Sequence, residues 1–200
     1  RTPGGDIRTG ESVPDGRALF EAGRRYGRTV QDRTIVLGET IPGGTTTALA
    51  VRMALGVTVP ASSSLRQNPL DKKQQICEAA LSAAGLKGTN TERDPIVVAT
   101  RVGDPVLLAM TGIAQGALET GTEVILGGGT QLVTVVAMLR ALAVTDELLL
   151  TTTPYLLADV PSLPAAMRAF GCDVHAADPD FDQPGAGPLG AYTTGVAKEG

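Results

Sequence analysis

The sequence predicts an α/β fold in which a parallel β-sheet has helices on both faces. Short apolar runs alternate with helical segments along the chain, at the spacing typical of βαβ units. These runs are rich in β-branched residues, as expected of strands buried on both faces of a parallel sheet. Two of the runs lead into glycine turns that open helices. Open sheets bind ligands beyond the carboxyl ends of their strands, so candidate functional residues should directly follow the strands.

The first half of the chain predicts one strand and three helices after a loop at the start. Residues 14–27 predict a helix, because apolar side chains share one face and arginines the other. The β-branched run at residues 34–37 predicts the first strand. Residues 45–55 predict the helix that the first glycine turn opens, and residues 70–84 predict an amphipathic helix after an irregular connection.

The second half predicts a regular alternation of strands and helices. Asp104 followed by Pro105 is a strong helix start, because Asp caps free N–H groups and Pro fits the first helical position. The apolar stretch 124–144 contains three glycines, Gln131 and Arg140, so it predicts a buried strand, a turn and a buried helix instead of a membrane span. The strands predicted in this half are 95–100, 123–126, 147–151 and 173–176, and the helices are 105–120, 130–143 and 162–170.

The composition narrows the class of protein. The 200 residues carry a net charge of −4 and only 3% aromatic residues, which argues against a nucleic-acid partner. Cys77 and Cys172 lie far apart without CxxC spacing, so we expect two buried thiols in a reducing cytoplasm. His175 is the only histidine, and we expect it to be structural instead of a metal ligand.

Three regions are expected along the chain. Residues 1–30 form a lead-in that belongs to a truncated smaller domain. Residues 31–178 form an α/β nucleotide-binding core. Residues 179–200 form a loop rich in glycine, and the sequence stops inside it at Gly200.

The candidate functional residues cluster around the two glycine turns. Glu39 follows the first strand, where a carboxylate can act on a substrate or bind a ribose. Glycine turns at helix starts can bind a phosphate through backbone N–H groups. The candidates in the first turn are Gly43, Gly44, Thr45 and Thr46, and those in the second are Gly127, Gly128, Gly129 and Thr130. Neither turn matches a Walker A loop or GxGxxG, and both also fit a simple tight strand–helix connection.

Two further candidates lie outside the turns. Lys73 falls in the first turn of a predicted helix, where a cation is unfavourable beside the helix dipole. It suits a phosphate ligand, and the alternative is an ordinary exposed lysine. Asp104 follows a predicted strand as a helix cap.

Five segments in order resemble one enzyme family. They are GETIPGGTTTALAVRMALG (38–56), SSSLRQNP (62–69) followed by two lysines, RVGDPVLLAMTGIAQGA (101–117), GGGTQ (127–131) and GVAKEG (195–200). Together they resemble the nicotinate-nucleotide–dimethylbenzimidazole phosphoribosyltransferase family, most closely its divergent archaeal and bacterial branch. The resemblance implies a Rossmann-like α/β domain and a homodimer. It also implies transfer of the phosphoribosyl group of nicotinate mononucleotide to 5,6-dimethylbenzimidazole, which gives α-ribazole 5′-phosphate for the lower ligand of cobalamin.

The resemblance also assigns roles to residues. Glu199 falls on the family's catalytic glutamate, which takes a proton from the benzimidazole as its other nitrogen attacks the anomeric carbon. Glu39 falls on a second glutamate near the ribose, and Lys73 on the phosphate-binding lysine. No metal or cofactor is implied. Two alternatives stay open: a nucleotide-binding module without catalysis, and a nucleosidase on the same scaffold.

Overall fold

Four parallel strands form the sheet at the centre of the computed structural model, which describes residues 4–178 apart from residues 64, 66, 89 and 91. The strands lie side by side in chain order, each paired with the next. The predicted α/β fold with a parallel sheet is therefore confirmed. The strands are β1 (Thr34–Gly38), β2 (Glu123–Gly127), β3 (Leu148–Thr152) and β4 (Cys172–Ala176).

The described part of the chain contains eight α-helices. A 3₁₀ turn at Ile7–Thr9 precedes them. The helices are α1 (Gly16–Gly27), α2 (Gly44–Leu55), α3 (Leu70–Ala83), α4 (Pro95–Val102), α5 (Pro105–Leu118), α6 (Thr130–Ala141), α7 (Pro154–Asp159) and α8 (Leu163–Ala169). None of the helices in the described ranges is both long and apolar enough to cross a bilayer.

The strand predicted at residues 95–100 is wrong, because this segment is helix α4. The Asp94 carboxylate accepts hydrogen bonds from the N–H groups of Ile96 and Val97, and Pro95 occupies the first helical position. The β-branched run fits a helix as well as a strand, since buried Ile96, Ala99 and Val102 recur every three residues. Helix α4 therefore starts with an Asp-Pro pair of its own, Asp94-Pro95, as α5 starts with Asp104-Pro105.

The two faces of the sheet differ in burial. Val124, Leu126 and Leu150 point to one face and are at most 1% exposed. Right-handed crossovers between strands in chain order place the connecting helices on one face, which agrees with this burial. The parallel sheet is as predicted, but the expected cover of helices on both faces is not found among the described residues. The opposite face carries Val36, which is 64% exposed, and Ile125 of the neighbouring strand, which is half-buried.

Helix α6 lies at the centre of the fold. Its residues from Thr130 to Leu139 are all buried, because α2 and α5 pack beside it and it runs between β2 and β3. The crossover helices α5 and α6 run back against the strands that they connect, so both start where those strands have their carboxyl ends. Helix α2 leaves the end of β1 directly, and its start therefore lies at the same edge.

Helices α1 and α5 approach each other closely through glycines. A Cβ atom added to Gly23 of α1 would lie 2.5 Å from the Ala109 carbonyl oxygen of α5. Gly112 of α5 likewise faces the backbone of Phe20. The glycines therefore set the distance between the two helices, because any larger side chain would meet main-chain atoms that cannot rotate away.

Candidate functional site

The starts of three helices meet at the carboxyl edge of the sheet. Strands β1 and β2 end there at Gly38 and Gly127, which pair directly in the register of the sheet. The start of α2 lies against the start of α6, since a Cβ atom on Gly44 would lie 3.5 Å from the Gln131 side chain. The N-terminal turns of α2 and α5 are joined by a hydrogen bond from the Thr47 hydroxyl to the Asp104 carboxylate.

These three helix starts are capped differently. Asp104 caps α5, because its carboxylate accepts a hydrogen bond of 2.9 Å from the Leu107 N–H group. Helices α2 and α6 begin after Gly43 and Gly129, and neither start receives a side-chain cap within the described residues. Uncapped N–H groups and the positive end of the helix dipole favour an anion. The α2 and α6 starts can therefore accept one, whereas α5 already has a carboxylate.

Backbone geometry explains the glycines in both turns. Gly43 has φ 78° and Gly128 has φ 151°, conformations that other residues rarely adopt. A Cβ atom on Gly43 would meet nothing within 4 Å, so the space above the first turn is open to a ligand. The Gly128 N–H group donates to the Thr151 carbonyl of β3 at 2.9 Å and anchors the second turn to the sheet.

A buried network of hydrogen bonds, here called the Thr130 cluster, links five residues: Lys73, Ser62, Thr130, Arg52 and Thr134. The Lys73 ammonium donates to the Ser62 carbonyl oxygen at 2.6 Å. The Thr130 hydroxyl accepts from the Ser62 N–H group at 3.1 Å and lies 2.9 Å from the Ser62 hydroxyl. The Arg52 guanidinium donates to the Thr130 carbonyl and, at 2.9 Å, to the Thr134 hydroxyl. The cluster therefore ties the second glycine turn to α2 and to the start of α3.

Lys73 is only 6% exposed, so the alternative of an ordinary exposed lysine is wrong. Its aliphatic stem is covered, and its ammonium is held beside the serine segment instead of in solvent. Burying an ammonium costs free energy unless acceptors or an anion compensate it. A cation held in this way at the edge of two glycine turns is suited to bind a phosphate.

Asp104 lies beside a cavity of about 430 Å³ at the same edge. Burial raises the pKa of its carboxyl group, while the Thr47 hydroxyl and two backbone N–H groups counteract this by favouring the carboxylate. The cavity walls include Ile41 and Pro42 of the first turn and Gly4 and Gly5 from the chain start. A larger cavity of about 600 Å³ lies between α2 and α3 and is lined mostly by apolar side chains.

Glu39 follows β1 directly and is half-buried. The register that pairs Gly38 with Gly127 places it next to the second glycine turn. Thr45 and Thr46, in the first turn of α2, are also half-buried. The structure therefore brings both glycine turns, Glu39, Lys73 and Asp104 to one edge of the sheet. Glu199 lies outside the described residues, as does the whole predicted loop 179–200.

Three residues that contribute to this edge are not among the candidates identified from the sequence: Ser62, Thr47 and Arg52. Ser62 links Lys73 to Thr130, and Thr47 links α2 to α5. Arg52 lies in the last turn of α2 and donates a hydrogen bond to the Thr130 carbonyl at the second turn. The run of three serines is a visible signal for Ser62. Nothing in the local sequence distinguishes Arg52 from a surface arginine.

The cysteines and the histidine complete the predicted set. Cys77 and Cys172 are free and buried, as predicted, and burial raises the pKa of each thiol to about 11. His175 lies exposed on β4, where it pairs with Thr151 in the sheet register.

The fold and this edge place the chain among the α/β proteins whose parallel sheets meet ligands beyond the carboxyl ends of their strands. A family model described as phosphoribosyltransferase matches residues 12–160. The chain belongs to this family, that of the nicotinate-nucleotide–dimethylbenzimidazole phosphoribosyltransferases, and the resemblance found in the sequence is confirmed.

Relatives and solved structures agree with this family. The chain is 40% identical over 204 residues to a UPF0284 protein of Halobacterium salinarum, covering 100% of the chain and 60% of that relative. It is 36% identical over 203 residues to a UPF0284 protein of Methanosarcina mazei, covering 99% of the chain and 58% of the relative. The chain thus spans about 60% of the length of these curated relatives.

The crystal structure of a nicotinate-nucleotide–dimethylbenzimidazole phosphoribosyltransferase from Thermus thermophilus has a similar fold. The TM-score is 0.63 at 20% sequence identity, over 96% of this chain and 58% of that one. At this level of identity the similarity establishes a common fold.

Proposed function

We propose that this chain carries the nucleotide-binding part of an enzyme that transfers the phosphoribosyl group of nicotinate mononucleotide to 5,6-dimethylbenzimidazole. The observation that carries the proposal is the Thr130 cluster, in which the buried Lys73 ammonium is tied to the second glycine turn through Ser62. The phosphate of the nucleotide would bind between Lys73 and the uncapped starts of α2 and α6. Membership of the phosphoribosyltransferase family supports this assignment.

The proposed reaction assigns one role to each of two acids, as the family resemblance implies. One nitrogen of the benzimidazole attacks the anomeric carbon, and the glycosidic bond to the pyridine nitrogen breaks so that nicotinate leaves with the electron pair. Glu199 takes the proton from the other benzimidazole nitrogen as general base. Glu39, at the end of β1, stabilises the positive charge that develops on the ribose. The described residues contribute the nucleotide side of this site.

The remaining parts of the proposal concern the whole protein. A homodimer in the cytoplasm, small-molecule substrates and no nucleic-acid partner are expected. Residues 1–30 would belong to a smaller domain and residues 179–200 to the catalytic loop. The two alternatives are a nucleotide-binding module without catalysis and a nucleosidase.

The test uses the protein in the longest form that its gene encodes, with nicotinate mononucleotide and 5,6-dimethylbenzimidazole. We expect release of nicotinate that depends on the added base. Glu199→Gln should abolish release and leave the Kd for the nucleotide unchanged. The matched control is Glu78→Gln, because Glu78 is an exposed acid on α3 whose only described side-chain partner is Gln74.

Two outcomes would contradict the transferase, and a third would contradict the role of Glu199. Nucleotide binding without any turnover would establish the binding module. Nicotinate release that does not require a base would establish the nucleosidase. Full activity in the Glu199→Gln variant would remove the general base from the mechanism.

A further inference from the structure

Arg52 is a buried cation that the proposed reaction does not use. It lies in the last turn of α2 with 0% of its surface exposed. One terminal nitrogen, Nη1, makes both of its hydrogen bonds, to the Thr130 carbonyl and the Thr134 hydroxyl. Its Nε and Nη2 atoms are also buried and have no hydrogen-bond partner among the described residues. Most of the hydrogen-bonding capacity of this guanidinium is therefore unused.

The charge of Arg52 is also unbalanced. Burial lowers the pKa of the guanidinium to about 10, so it stays protonated at neutral pH. No carboxylate forms an ion pair with it in the described part of the chain. The titratable group that interacts with it is Cys77, a buried thiol that is neutral near pH 7. A buried charge without a counter-ion is costly in free energy, and an anion bound nearby would offset part of that cost.

The position of Arg52 indicates which anion it serves. It binds the carbonyl of Thr130, and the hydroxyl of the same residue binds Ser62, whose carbonyl holds Lys73. Arg52 therefore lies directly beneath the start of α6, on the protein side of the second glycine turn. Because the effective dielectric constant is low in this buried layer, the positive charge of Arg52 acts on the turn with little screening.

We propose that Arg52 is a positioning residue for the phosphate of the nucleotide, acting through Thr130 and through its uncompensated charge. The proposal rests on the proposed nucleotide site. Arg52 holds the start of α6 in place and makes the second glycine turn more positive, so that a phosphate binds there more tightly than a neutral group of the same shape.

The test compares Arg52→Met and Arg52→Gln, which remove the charge, with Arg52→Lys, which keeps it. The ligands are nicotinate mononucleotide, the phosphate-free nicotinate riboside and inorganic phosphate. We expect both neutral variants to lose on the order of tenfold in affinity for the nucleotide and for phosphate. Affinity for the riboside should stay within about threefold, and the lysine variant should recover most of the phosphate affinity.

A second measurement separates this role from a structural one. A neutral side chain removes an uncompensated buried charge, and this gain opposes the loss of the two hydrogen bonds to Thr130 and Thr134. The melting temperature of ligand-free Arg52→Met should therefore fall less than that of the control variant. The matched control is Arg140→Met, because Arg140 lies in the last turn of α6 and donates to four carbonyls, those of Phe170, Val144, Asp146 and Gly171. Its loss should lower the melting temperature without changing the ratio of nucleotide to riboside affinity.

Each outcome decides the proposal. Equal losses for nucleotide and riboside, or unchanged phosphate affinity in both neutral variants, would overturn it while the nucleotide site stands. If the wild-type chain binds phosphate but not the nucleotide, the proposed function fails and the phosphate comparison alone decides the role of Arg52. If the wild-type chain binds neither ligand, both proposals are overturned. Arg52→Gln keeps a donor for the Thr130 carbonyl, so it serves if Arg52→Met does not fold.

Discussion

Replacing Thr130 by valine tests the link between the second glycine turn and the serine segment. The valine keeps the branched shape but removes the hydroxyl that accepts from the Ser62 N–H group and contacts the Ser62 hydroxyl. Each lost hydrogen bond costs about 1 kcal/mol, and the buried Ser62 N–H group adds a desolvation penalty of about 1 kcal/mol. We therefore expect Thr130→Val to lower the free energy of unfolding by roughly 2–3 kcal/mol.

Thr130→Ser is the matched control. It keeps the hydroxyl and removes one buried methyl group, which costs about 1 kcal/mol. Urea unfolding followed by far-ultraviolet circular dichroism measures both variants, since the chain has no tryptophan. The same samples should show weaker nucleotide binding for the valine variant than for the serine variant. Equal unfolding free energies for the two variants would refute the argument, because the hydroxyl would then contribute nothing to the link.

Two further predictions concern packing and pH. Gly23→Ala should lower the melting temperature, because its Cβ atom would lie 2.5 Å from the Ala109 carbonyl oxygen and the overpacking cost of about 1–3 kcal/mol exceeds the helix propensity gained. A raised melting temperature would show that α1 does not lie this close to α5. Folding raises the pKa of Asp104 above its usual value of 3.8, so its contribution to stability is largest below pH 3.8 and is lost as the pH rises through the folded pKa. The stability of Asp104→Asn relative to wild type should therefore improve as the pH rises from about 3.5 to about 7, and a constant difference in urea titrations would contradict the raised pKa.

The sequence predicts most helices and strands because their signals are local. Asp104 and Pro105 start α5 where expected, and the β-branched run before Gly38 forms β1. The segment after Asp94 shows the limit of this reasoning. Its β-branched residues favour a strand, but the cap and the tertiary burial of Ile96 and Val102 decide for a helix.

The candidate site is predictable only where glycine and charge mark it in the sequence. The two glycine turns are evident, since their backbone conformations require glycine. Lys73 is visible as a cation at a helix start, but its burial depends on Ser62, which comes from a separate segment. Arg52 is not predictable, because its partners Thr130 and Thr134 lie on another helix that is distant in sequence.

The order of the strands has a consequence for how the chain folds. Short connections join β2 to β3 and β3 to β4. The connection from β1 to β2 is much longer, because it runs from Gly38 to Glu123 and contains helices α2 to α5. Closing the longer connection costs more chain entropy and slows the formation of that pairing. Glu39 and both glycine turns lie at the carboxyl end of this β1–β2 pair. A nucleotide bound there would therefore stabilise the strand pairing that the chain closes at the greatest entropic cost, so that binding and the completion of the sheet are coupled.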